Sequence, residues 1–161
     1  MRRVALTAVV LLLAGCGSEP SGPQDVTVEA GPQEVQVAPS QACIDGELQR
    51  YESTPPRVEV SPDTTIRITV PDSVAENGWG VQVYDDRLQE QLGTVDAEEG
   101  QTVFDRINSS DVVPAAFYLV VVEDAGEQCE GLSGAWPVGF LRAGGARGGT
   151  ATESPPPAPQ G

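Results

Sequence analysis

The chain contains no histidine and no lysine in 161 residues. Without imidazole there is no Ser-His-Asp or Cys-His nucleophile pair and no histidine metal ligand. All nine basic residues are Arg, set against 24 Asp and Glu, for a net charge of −15. Nucleic-acid binding needs clustered Lys and Arg for phosphate contacts, so that class is excluded. Aromatic residues are scarce, at 5%. No apolar run reaches the roughly 20 residues that cross a bilayer as a helix. Gly 18 and Pro 14 are abundant, which signals linkers or tails around a single domain.

The longest apolar run, residues 4–13, follows Met1-Arg2-Arg3 and precedes Leu13-Ala14-Gly15-Cys16. A positive start, a short apolar stretch and small residues before a cleavage point are the layout of a secretory signal. Leu13-Ala14-Gly15-Cys16 resembles the lipobox of bacterial lipoproteins. That resemblance implies removal of residues 1–15 and a lipid on the Cys16 sulfur. The mature chain then keeps seven Arg and 24 acids, a net of −17. Residues 16–24 hold no large apolar side chain and read as a flexible tether. An acidic domain is repelled by an anionic membrane, which gives such a spacer a use. Residues 143–161 lack aromatics, Leu, Ile and Val, and end in a Pro-rich stretch, so they read as a disordered tail.

Residues 25–142 are written in strands. Val26 and Val28, Val35 and Val37, Val58 and Val60, then Ile66, Ile68 and Val70 each alternate with polar neighbours. Trp79, Val81 and Val83 do the same, residues 116–122 are continuously apolar, and a last strand covers about 136–141. Period two with β-branched residues, punctuated by Gly, Pro, Asn and Asp, is the strand signature. Residues 72–78 carry the one helical hint, with Ser73 and Glu76 at capping-box spacing and Asn77-Gly78 as a stop. About eight short strands (seven to nine) without a substantial helix predict a single all-β antiparallel sandwich, with a small closed barrel as the alternative.

The approach to residues 116–122 resembles the start of strand F in immunoglobulin-like domains, with Tyr118 as the corner tyrosine. The Cys expected two residues later is Val120 here. The likeness is therefore to immunoglobulin-like architecture alone. Once Cys16 is lipidated, Cys43 and Cys129 remain, outside the cytoplasm, where disulfides persist. Their bridge would close a loop of about 87 residues, worth about 4.6 kcal/mol as lost unfolded-chain entropy. With no C-x-x-C and no His, a redox pair or metal site is the poorer reading.

Residues with the look of chemistry are few. Gly131-Leu132-Ser133-Gly134-Ala135 misses the G-x-S-x-G spacing by one residue and reads as a turn. Asp85-Asp86, Glu98-Glu99 and Glu123-Asp124 match no calcium-loop pattern and read as turn acids. Trp79 and Trp136 would line a ligand cleft or, on alternating strands, the core. No cofactor, metal site or catalytic residue is expected.

Val26-Thr27-Val28, the 39–43 segment Pro-Ser-Gln-Ala-Cys, and the 69–79 stretch with Val70-Pro71, Val74-Ala75 and Trp79 resemble an actinobacterial lipoprotein family of unknown function. The absence of Lys suits a GC-rich genome of that kind. The resemblance implies location and lineage, and carries no functional residue. The expectation is a non-enzymatic lipoprotein, held to the outer face of the cell membrane by its lipid. Its partner would be an envelope protein or polymer. The alternative is a carboxylate-based hydrolase of envelope polymers, which needs two acids about 5 to 9 Å apart in one cleft.

Overall fold

A computed structural model describes residues 22–124, 129 and 131–143. In chain order the elements are β1 (Val26–Ala30), β2 (Gln33–Val37), β3 (Gln41–Ile44), β4 (Glu47–Arg50), β5 (Arg57–Val60), β6 (Thr65–Thr69), α1 (Asp72–Asn77), β7 (Trp79–Tyr84), β8 (Gln91–Asp96), β9 (Val103–Asn108), β10 (Ala116–Asp124) and β11 (Leu132–Arg142). A four-stranded sheet, β2-β1-β6-β9, packs on a seven-stranded one, β4-β3-β11-β10-β7-β8, to which β5 adds beside β11. All pairings are antiparallel except β5 with β11.

The expected sandwich is the fold found, with eleven described strands rather than about eight. The extra ones are the β3–β4 hairpin and the strands β8 and β9. None of them shows clean alternation: β4 and most of β8 are exposed, and β9 carries an irregularity. Taking β1, β6 and β9 as A, B and E, and β7, β10 and β11 as C, F and G, reproduces the immunoglobulin-type order. Among the described residues, the strand that would lie beyond E as D has no counterpart beside β9, so that side of the sandwich is open.

The core lies between the sheets. Val26, Val28, Ile66, Ile68 and Phe104 come from the smaller sheet, and Val81, Phe117, Leu119, Val121, Trp136 and Phe140 from the larger. Trp79 meets Phe104 edge to face at 6.2 Å, and Phe117 stacks on Phe140 at 5.3 Å. Both Trp residues are buried, with their indole N–H groups donating to the carbonyls of Gln101 (2.6 Å, from Trp79) and Gln24 (3.0 Å, from Trp136). The second bond fixes the last residue of the expected tether against the domain.

β11 is central and yet contains Pro137, which removes a ladder donor. Its neighbours explain the tolerance. Ala135 O accepts from Ser40 N and Gly139 N donates to Pro56 O, so odd-numbered positions face the β3 and β5 side. β3 pairs with β11 only at residues 134 and 135, and β5 only from 139 onward. Pro137 falls in the gap where one partner has ended and the next has not begun, so no pairing is lost.

Two local expectations are corrected. α1 forms with Pro71 as its N-cap and no side-chain cap bond, so the Ser73–Glu76 capping box is not made. The backbone N–H groups of Val74 and Ala75 donate instead to the Pro71 carbonyl. The Tyr118 hydroxyl accepts from Arg57 (3.2 Å) rather than bonding back to the corner before β10. Arg142 holds that corner, donating to the carbonyls of Ser109 (2.6 Å), Val112 (2.8 Å) and Val113 (3.2 Å).

Candidate binding surface

The open side of the sandwich forms a cleft of about 430 Å³ between β8, β9 and the loop that precedes β10. Val83 of β7, Ile107 of β9 and Val112 of the loop form its apolar lining. Leu92, Val95 and Val113 stand at its mouth; Val113 is 90% exposed, the most exposed large apolar side chain of the described residues. Its charged members are Arg106 and Asp111. Arg106 pairs with Glu98 at 3.5 Å and stacks over the Phe104 ring at 5.1 Å. Asp111 is tied to its own loop, accepting from Asn108 N at 2.8 Å.

The loop wall is built. Ser109 is fully buried, accepts from Thr64 N (3.0 Å) and donates to Ser61 O (2.8 Å). Together with the three Arg142 bonds, this anchors the segment that carries Val112 and Val113. The wall opposite is an edge: among the described residues β8 ends its sheet and has no strand beyond it. The turn between β7 and β8 is shaped by Asp85, which accepts from Gln89 N at 2.7 Å and Glu90 N at 3.2 Å. The Gln89 N–H above all lowers the Asp85 carboxyl from its ordinary value of 3.8, against the opposing effect of desolvation.

A second groove gathers carboxylates: Glu76, Asp96, Glu99 and Asp124 line it beside Trp79. It brings together members of two of the acid pairs, while Asp85-Asp86 lies on the β7–β8 turn. All four acids are exposed. A third groove lies against Cys43, Trp136 and residues 22–24. No cluster of three or more potential metal ligands occurs among the described residues.

The Cys43–Cys129 disulfide is formed, with Cα atoms 6.2 Å apart, and ties the β3–β4 hairpin to the β10–β11 connection. Leu13, Ala14, Gly15 and Cys16 lie outside the described residues, as does the tail beyond Ala143. Ser133 sits on β11 rather than on a turn. It is buried and donates to Asp124 O at 2.7 Å, so its hydroxyl is committed to the sheet.

These features define a β-sandwich domain with one open, apolar side. The family profile described as a protein of unknown function (DUF2771) matches residues 19–136, about three quarters of the chain. The chain belongs to that family. No curated protein and no solved structure matches it.

Proposed function

We propose that the chain is an extracytoplasmic, membrane-anchored lipoprotein of actinobacterial type, and that its sandwich is a non-enzymatic binding module. The observation that carries the binding role is the cleft between β8 and β9. Three apolar side chains are presented there on a buttressed loop and a free strand edge. Chains this acidic gain nothing in solubility from an exposed Leu92, Val95 and Val113, so a surface of this kind marks an interaction site.

The anchor rests on the order of Arg2-Arg3, the apolar run of residues 4–13, and Leu13-Ala14-Gly15-Cys16. Two or more acyl chains on Cys16 hold firmly, at about 0.8 kcal/mol per buried CH₂. No described helix is long and apolar enough to cross a membrane. The chain enters the domain at Gln24, at the end of the sandwich where Thr27 pairs with Thr69. The cleft loop follows Asn108, whose partner Thr65 begins β6 at the opposite end. The cleft loop therefore lies at the end of the sandwich opposite the one where the tether joins it. The carboxylate groove is where the hydrolase alternative would operate. Its acids are all exposed, whereas a general acid needs burial to stay protonated near neutral pH.

The test places a photo-crosslinking amino acid at Val113 of the lipidated chain in cells, with the same group at Glu34 on β2 as control. A discrete crosslinked partner from position 113 and none from 34 is expected. Equal, diffuse crosslinking from both positions would remove the binding role from the open side. Metabolic palmitate labelling of the chain and of Cys16→Ser tests the anchor separately.

A further inference from the structure

The binding reading leaves the partner's chemistry open, and the strand edges narrow it. Free edges invite pairing with another chain, and proteins guard them with charge, Pro or bulges. β2 carries Glu34, β4 carries Glu47 and Arg50, β5 carries Arg57 and Glu59, and β9 carries Asp105 and Arg106. β8 is unlike them: residues 91–95 are Gln-Leu-Gly-Thr-Val, with no charge until Asp96 at its end. β8 is also one of the two edges, with β9, that border the apolar cleft, and its irregularity opposite Val83 and Tyr84 lies at the Gln91 end, leaving residues 93–96 in regular register.

Its hydrogen-bonding register is set by its partner strand. Ala97 N donates to Trp79 O at 3.0 Å, so Trp79 and Ala97 form a bonded pair. Val81–Val95 and Val83–Gly93 follow in the same register, and their N–H and C=O groups point into the sheet. Thr94 and Asp96 therefore turn their backbone groups outward, to the free side. We propose, resting on the binding reading above, that an extended segment of a partner protein adds to β8 as a further strand. It bonds to Thr94 and Asp96 while alternate apolar side chains enter the cleft.

Charge selects the segment. Glu90 and Asp96 flank the edge and Asp111 lies in the cleft, while Arg106 is already paired with Glu98. With the chain at −15 overall, the complementary segment is a β-branched alternation flanked by Lys or Arg. A second copy is the poorer occupant on two counts. Its charge repels, and two β8 strands paired antiparallel about a twofold axis send their Gln24 ends in opposite directions. Two tethers leaving that way do not serve a single membrane.

The experiment uses the full mature chain with Cys16→Ser and a synthetic peptide, Lys-Lys-Val-Thr-Val-Thr-Val-Lys-Lys, read by amide hydrogen exchange. Thr94 and Asp96 should exchange at least about tenfold more slowly with the peptide, from its bound fraction alone. The same peptide with Glu in place of Lys should give no protection. Thr94→Pro removes an outward N–H and leaves the β7–β8 ladder intact, so it should fold and lose the protection. Val95→Lys, a second variant, guards the edge without touching the backbone and should do the same. Strand addition is overturned if Thr94→Pro binds as well as the parent, if the Glu peptide protects equally, or if the protection is accompanied by dimerisation of the chain. A partner crosslinked from Val113 alongside an unprotected β8 would also overturn it, while leaving the binding reading in place.

Discussion

The disulfide gives the sharpest energetic prediction. Cys43 and Cys129 are separated by 86 positions, so the bridge closes a loop that spans most of the domain. In the chain-entropy treatment, a loop of that size removes about 4.6 kcal/mol from the unfolded state's advantage at 25 °C. Domains of this size have a total stability of about 5–15 kcal/mol, so the bridge supplies a large share of it. The double variant Cys43→Ser/Cys129→Ser, made in the chain that already carries Cys16→Ser, leaves no lone thiol and stays close to the parent in side-chain size. Urea unfolding of the unlipidated chain should show a midpoint lowered by the equivalent of about 2–5 kcal/mol. A competing account follows from the local structure. In the β3–β4 hairpin β4 is exposed and β3 pairs with β11 at only two positions, so the bridge would do no more than pin it. In that case hydrogen exchange across residues 41–50 accelerates while the urea midpoint stays within about 1 kcal/mol of the parent, and the loop-entropy reasoning is refuted.

Other expectations test separate parts of the architecture. A Cβ at Gly134 would stand 2.4 Å from the Trp136 ring, so Gly134→Ala should cost about 1–3 kcal/mol and shift the tryptophan emission. Arg142→Ala strips the donors from three loop carbonyls and should cost about 1.5–3 kcal/mol per unmade charged bond at most. Its signature is faster exchange across residues 109–113, with β10 and β11 unaffected. The Asp85 carboxyl is lowered in the folded chain, so it contributes stability above its unfolded value that fades as pH falls through the folded one. Acidification below about pH 4 should therefore release the Gln89 amide of the β7–β8 turn. Asp85→Asn should abolish that pH dependence, which amide NMR would read directly.

The alternation rule found the strands that bury one clean face and failed where a strand is bulged or exposed. Ile66 and Ile68 were legible because their partners lie in the core. Phe104 and Ile107 share that same core but stand three apart, because the β6–β9 register slips between Ile66 and Ile68. Leu92 and Val95 are likewise three apart, across the irregularity at Val83 and Tyr84. A bulge adds one residue and moves the following side chains out of period two. Both walls of the cleft were hidden for this reason. The Cys43–Cys129 pairing was legible from compartment and count. The corner was misread through Tyr118, because a long-range partner such as Arg142 leaves no local spacing signal. Phe104–Ile107 read as a bulged strand, bounded by Gly100 and by Asn108-Ser109-Ser110, would have exposed the open side.

The most direct test of the open side compares amide exchange at Thr94 in the purified chain with exchange in the lipidated chain within its own envelope. Slower exchange at Thr94 and Asp96 in the envelope, with Glu47 and Glu34 unchanged, is the predicted result. Identical rates in both settings would mean that nothing covers β8, and would contradict the assignment of this edge as the binding surface.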